Sequence, residues 1–325
     1  MIITGSDIEE IVQLRNNLFR EFEMKDLGGL KYFLGIEVLC SNKGIFISRR
    51  KYIVDLLAEI GMVNCKPADT PMQVNHGLKF EEGANLIDKE RYQRLVEKLI
   101  YLSQTRPNIA YALRIISQFM HQPQEGHMEA AMRIVRYLKE TPGSRIMFQK
   151  HGHLNIEAYI DIDWAGNPND KRSTSGYFTL VRGNLVTWRS KKEKVVALST
   201  AEAKFRASAK GITEVLWIKK LITEIGFPPQ LPSQLKCDNN AACKRCYTTI
   251  SISDNPVQHD RTKHVEVDKH FIKEKIEDSS IELPFVRSED QLADIFTKVV
   301  KGRAFTCVLN KLSIGDPTAY LEGEC

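Results

Sequence analysis

An α/β fold is predicted for this 325-residue chain, with a mixed sheet in its second half, and three observations point to it. Residues 154–190 read as three short strands in a meander. A long helix, roughly 199–225, follows with no strand in between. Beyond it, short apolar stretches at 234–237 and 281–286 alternate with helical ones, giving the order βββ-α-β-α-α-β-α. The first half reads as α+β, and a two-domain division at 1–150 and 151–325 follows from length and texture.

In order, Ile8, Ile11, Val12, Leu14, Leu18, Phe19 and Phe22 recur at helical spacing behind a Ser6 or Asp7 cap. Leu30 to Val38 reads as one strand, Asn42-Lys43-Gly44 as a turn, Ile45–Ile47 as the return strand, and 49–60 as a helix stopped by Gly61. Helices are expected at 88–105, 107–121 and 127–141, with Pro107 in a first turn and Thr141-Pro142-Gly143 ending the run. In the meander, Leu154–Ile162, Gly176–Val181 and Asn184–Ser190 are the strands, and Arg182-Gly183-Asn184 makes the tight turn. Residues 262–278 read as a helix, and a last helix is expected to begin near Glu289.

Composition narrows the class. No window approaches the roughly 18 apolar residues of a membrane span. The opening Met1–Asp7 has no basic region of a signal or transit peptide, and seven scattered cysteines suit a reducing cytoplasm or nucleus. A net charge of +5, from 46 basic against 41 acidic residues, permits a polyanionic partner without requiring one.

Four acids fall where strand ends and helix starts could converge. Asp161 and Asp163 end the first strand of the second half, Asp238 follows the strand at 234–237, and Asp294 lies in the first turns of the expected last helix. Gathered carboxylates repel unless a cation neutralises them, and oxygen-only donors suit Mg2+ or Mn2+. Taken alone, acids at strand ends are also ordinary caps and turn residues.

Longer stretches carry a resemblance: FEMKDLGGLKYFLGIEV (22–38), ERYQRLVEKLIYLSQTRPNIAYA (90–112), DIDWAGNPNDKRSTSGY (161–177), NLVTWRSKKEKVVALSTAEA (184–203), NPVQHDRTKHVEVDKHFIKEK (255–275) and SEDQLADIFTK (288–298). In this order they closely resemble the C-terminal part of the Pol polyprotein of plant Ty1/copia-type retrotransposons, the tail of a reverse transcriptase followed by ribonuclease H. The resemblance implies a ribonuclease H-like mixed sheet at 151–325, and at 1–150 a partial palm with thumb- and connection-like helices. It places the polymerase Asp pair immediately upstream of the segment written here MIITG, so polymerase activity is not expected from this chain. It also implies a site of three Asp and one Glu that holds two Mg2+ and cuts the RNA strand of an RNA–DNA hybrid. Matched residue by residue, Asp161, Asp238 and Asp294 are the expected catalytic and metal-binding Asp residues.

One departure bears directly on the chemistry. The family's helix motif reads Ala-Glu-Ala-Glu-Tyr, with its second Glu on the metal; here residues 201–205 are Ala-Glu-Ala-Lys-Phe, so Lys204 stands at that position. Glu202 is a poor substitute, because two residues along a helix rotate about 200°. An ammonium about 4 Å from a metal site interacts with each unit charge by about 4 kcal/mol at an effective dielectric of 20, here repulsively. Lys204 is therefore expected to take the metal's place and neutralise the Asp residues. Three readings follow: an impaired ribonuclease H-type nuclease, a silent nucleic-acid-binding module, or the non-functional product of a decayed element.

Basic residues beside the meander, Lys171, Arg172, Arg189, Lys191 and Lys192, are candidate phosphate contacts for a hybrid, with a solvated hairpin end as the plain alternative. Cys243, Cys246, His259 and His264 match a zinc-finger spacing. Zinc is not expected, because Pro256 and the turn Ser253-Asp254-Asn255 fall where a finger's helix must run. Against the family pattern, residues 243–249 look like an insertion that creates the Cys pair.

Overall fold

The structure, a computed structural model, describes residues 2–5, 7–167, 170–238 and 263–315, without the side chains of 263 and 264. The Cys243, Cys246 and His259 positions and the His264 side chain lie outside this set. Two five-stranded sheets organise the described residues.

Helix α1 (Ile8–Glu21) is capped by Asp7, whose carboxylate accepts the Glu10 N–H at 3.0 Å. None of its residues is buried, and Ile8, Leu14, Phe19 and Phe22 stand exposed. The single strand expected over Leu30–Val38 is instead a tight hairpin of β1 (Tyr32–Phe33) and β2 (Ile36–Ser41). Leu34 and Gly35 make its turn with φ of +47° and +73°, and the Leu34 carbonyl accepts the Tyr101 hydroxyl at 2.6 Å. A partner 67 residues away thus holds Leu34 in a conformation its own preference disfavours. Strand β3 (Gly44–Ser48) returns antiparallel, and α2 (Arg50–Glu59) follows, ending at Gly61.

Helices α3 (Lys89–Ser103), α4 (Ala110–Ile116) and α5 (Glu125–Glu140) bury Tyr92, Leu99, Ile116, Ile134 and Leu138 in one core. Pro107 opens a 3-10 turn before α4. Strand β4 (Arg145–Phe148), not foreseen in the sequence, pairs with β3 on one side and with β10 (Ile314–Gly315) on the other.

The second sheet has the strand arrangement the resemblance implies. Strands β5 (Ile156–Asp163), β6 (Thr174–Val181) and β7 (Asn184–Lys192) form an antiparallel meander. Strands β8 (Ser233–Lys236) and β9 (Ile281–Glu282) add parallel to β5. Alternation along β5 splits its side chains. Ile156, Ala158, Ile160 and Ile162 pack with α6 (Thr200–Glu224) and α7 (Lys263–Glu277). Tyr159 joins Phe178 and Phe296 in the core shared with the helices of the first half. Trp188 Nε1 donates to the Ser103 carbonyl at 3.0 Å across that junction.

The helix expected near Glu289 is replaced by two 3-10 turns, Ser288–Asp290 and Leu292–Phe296, and the last helix, α8 (Gly302–Lys311), starts later. Buried Gln291 is the cause. Its backbone is extended, its amide donates to the Ile160 carbonyl at 3.0 Å, and its side-chain oxygen accepts the Ala293 N–H. Among the described residues no helix is long and apolar enough to cross a membrane.

Candidate active site

Asp161 sits near the end of β5, 8% exposed, and accepts the Thr297 hydroxyl. Directly across the ladder is Gly176. A Cβ there would lie 2.6 Å from Phe296 Cβ and 2.9 Å from its carbonyl carbon, so glycine is what lets the Leu292–Phe296 turn lie flat on the sheet beside Asp161. That turn carries Asp294 to Asp161, within reach of a carboxyl–carboxyl hydrogen bond. Burial pushes the Asp294 carboxyl up to about 6, and the Asp161 charge adds to this while Lys298 opposes it.

Lys298 was not singled out in the sequence. Its ammonium lies 2.8 Å from Asp294 Oδ2, four residues earlier. Burial pulls its pKa down, yet the carboxylates of Asp294, Asp161 and Asp238 together hold it above its ordinary value. The signal that could have found it is the four-residue spacing in ADIFTK, which puts an acid and a base within reach around a helical turn.

Asp238 follows β8, and Lys204 reaches it from the first turns of α6 with Nζ 3.3 Å from Oδ1. Asp161, Lys204 and Asp238 line one crevice of about 10 Å3, with room for about one water. Glu202 turns elsewhere: it accepts the Leu198 N–H at 2.7 Å and pairs with Arg206. Asp163, two residues beyond Asp161, has its carboxyl raised by burial and by the Asp161 charge.

This donor set does not fit a pair of divalent ions as it stands. Lys204 occupies Asp238, Lys298 occupies Asp294, and the Thr297 hydroxyl occupies Asp161. Among the described residues no three His, Cys, Asp or Glu side chains are grouped closely enough to hold a metal. The chemistry of the cluster is that of a salted carboxylate site, its negative charge met by two ammonium groups.

The five basic candidates divide. Lys192 pairs with Asp170 at 2.7 Å on the Asp163 side of the sheet, and exposed Arg172 stands 3.7 Å from the same carboxylate. Exposed Lys171 occupies the adjoining turn with φ of +54°. Arg189 and Lys191 alternate to the opposite face, where Arg189 bonds the Tyr177 hydroxyl, itself 3.0 Å from Glu214 on α6. Trp188, next to Arg189 in sequence, is committed to the Ser103 carbonyl.

The profile of a family described as "Reverse transcriptase (RNA-dependent DNA polymerase)" matches residues 1–74. The chain is 39% identical to the "Retrovirus-related Pol polyprotein from transposon RE1" of Arabidopsis thaliana, over 97% of this chain and 21% of that protein. It is 31% identical to the "Putative transposon Ty5-1 protein YCL074W" of Saccharomyces cerevisiae, over 62% of this chain and 67% of that protein. Among solved structures, LC11-RNase H1 in complex with RNA/DNA hybrid shares 14% identity, covering 44% of this chain and 94% of that one at a TM-score of 0.32. The chain spans about a fifth of the length of the Pol polyprotein from RE1. With relatives of this kind along nearly its whole length, and with the sheet order its motifs imply, the chain belongs to the Pol polyproteins of Ty1/copia-type retrotransposons.

Proposed function

We propose that residues 151–325 act as a ribonuclease H-type module that engages RNA–DNA hybrids beside the Asp161–Asp238–Asp294 cluster, with cleavage weak or absent. Residues 1–150 are the reverse-transcriptase portion in this reading. The carrying observation is the Lys204 ammonium 3.3 Å from Asp238, at the position where the family resemblance puts a catalytic Glu. Lys204 removes a carboxylate ligand and adds a positive charge where Mg2+ would have to sit, so divalent-ion occupancy is low. Lys298 supports the same reading, because it leaves Asp294 paired as well. Hybrid binding is carried by backbone phosphates, with Lys171, Arg172 and Lys192 on the Asp163 side of the sheet as contacts, while Arg189 and Lys191 face away, and its affinity falls with salt.

The test compares Mg2+-dependent cleavage of a labelled hybrid by the chain and by Lys204→Glu. A gain in the variant is expected, and equal rates in the two would overturn the role given to Lys204. Binding without cleavage is the second reading, favoured by the two ammonium groups already present. A salt series with the labelled hybrid checks it, and no affinity even at low salt leaves neither reading standing.

A further inference from the structure

A cavity of about 530 Å3 opens beside the acid cluster, between the helices of the first half and the second sheet. Asp163 and Lys192, one strand apart across Thr174, form its sheet side. Tyr111 and Arg114 on α4, Gln118 just after it, and Phe80 before α3 form the other.

Its charges are unequally satisfied. Lys192 is bound to Asp170 at 2.7 Å and to the Gln118 side chain at 2.8 Å. Arg114 makes no ion pair among the described residues; its side chain is hydrogen-bonded to Tyr111 and feels the Asp163 charge, but its Nε and Nη1 are buried with no hydrogen-bond partner. The guanidinium lies 5.7 Å from the Tyr111 ring centroid, and burial pulls its pKa down. A desolvated guanidinium with unmade bonds is costly, and a phosphate is the group its planar fork matches best. The remaining walls suit a base. Phe80 is 50% exposed although it faces a cavity, and Tyr111 offers a second ring. Phe119, by contrast, is already stacked on His127 at 3.7 Å. The volume falls in the usual range for small-molecule sites and is far more than a bare oxyanion needs.

We infer that this cavity holds one nucleotide unit of a nucleic-acid strand, its phosphate on Arg114 and its base against Phe80 and Tyr111. The inference rests on the nucleic-acid reading above and deepens it: a strand passing the acid cluster would place an unpaired end nucleotide here. Stacking on aromatic rings accepts any base, so the site reads single-strandedness and phosphate rather than sequence.

The test is calorimetric titration of the full chain with AMP, adenosine and inorganic phosphate, beside hybrid binding at low salt with blunt and one-nucleotide-overhang duplexes. AMP is expected to bind about tenfold tighter than either of its parts, and Arg114→Gln and Phe80→Ala each to weaken it about tenfold. The overhang should bind more tightly than the blunt duplex, and that preference should vanish in both variants. Exposed Phe80 keeps the test decisive if Arg114→Gln does not fold. AMP no tighter than phosphate, no AMP binding, or variants without effect would overturn the inference. Failure with AMP while the hybrid still binds removes the pocket alone. AMP binding without hybrid binding removes the hybrid reading instead.

Discussion

The ammonium of Lys204 lies 3.3 Å from the carboxylate of Asp238, and the two side chains are 18% and 17% exposed. The pair joins α6 to the end of β8 across 34 residues of sequence. It therefore ties a helix to the sheet and, in the proposed reading, stands where the resemblance puts an acid.

Lys204→Met and Lys204→Glu separate those two roles. Each breaks a half-buried pair, between the surface and buried regimes, and is expected to cost about 1–2 kcal/mol without divalent ions. Adding Mg2+ should raise the melting temperature of Lys204→Glu and leave Lys204→Met and the unaltered chain unchanged. A Mg2+-induced rise in all three would contradict the account of the cluster given above.

Asp294 should titrate near pH 6 when followed by carboxyl carbon NMR. Its carboxyl ionises near about 3.9 in an unfolded chain, so between those values the native state binds the extra proton. This group's contribution to stability is therefore lost as pH rises from about 4 to 6, and acidification from pH 7 to 5 favours the fold in respect of Asp294. Lys298→Met removes the opposing cation and should move the midpoint higher still. An ordinary midpoint below about 4.5 would show that Asp294 is not held as described.

Gly176→Ala is expected to destabilise by about 1–3 kcal/mol in urea unfolding, because the new methyl meets Phe296 and Thr297 at under 3.0 Å. Its effect should reach the cluster: the Asp294 midpoint falls toward its ordinary value as the turn lifts from Asp161. A stability loss with that midpoint unmoved would mean the close approach is dispensable to the site.

Trp188→Phe keeps most of the packing but leaves the Ser103 carbonyl without its donor, at about 1 kcal/mol. Hybrid affinity should not change, since the indole faces the first half of the chain. A clear drop in affinity would place Trp188 on the binding surface instead.

Much of the frame was legible in residues close together in sequence. The α1 cap at Asp7, the Arg182-Gly183 turn, Pro107 and the Ser199-capped long helix are local preferences that the fold keeps. Where local preference misled, a distant partner overruled it. Tyr101 holds the turn that splits the expected strand at Leu34-Gly35, and Gln291, bonded to a carbonyl 131 residues away, ends the helix expected to carry Asp294. Strand β4 was missed because four residues after a Pro-Gly turn show no periodicity until β3 and β10 flank them.

By itself the sequence determined the family and the mixed sheet of the second half, and it named Asp161, Asp238, Asp294 and Lys204 as the residues to look for. Those properties reside in residue types at fixed spacings, which survive without coordinates. Only the tertiary structure decided how the acids are answered: Lys298 against Asp294, Thr297 against Asp161 at 136 residues' separation, and Arg114, its Nε and Nη1 unbonded, beside Asp163. The physical reason is that charge compensation depends on distance and burial across the fold, and neither is written in the spacing of a chain.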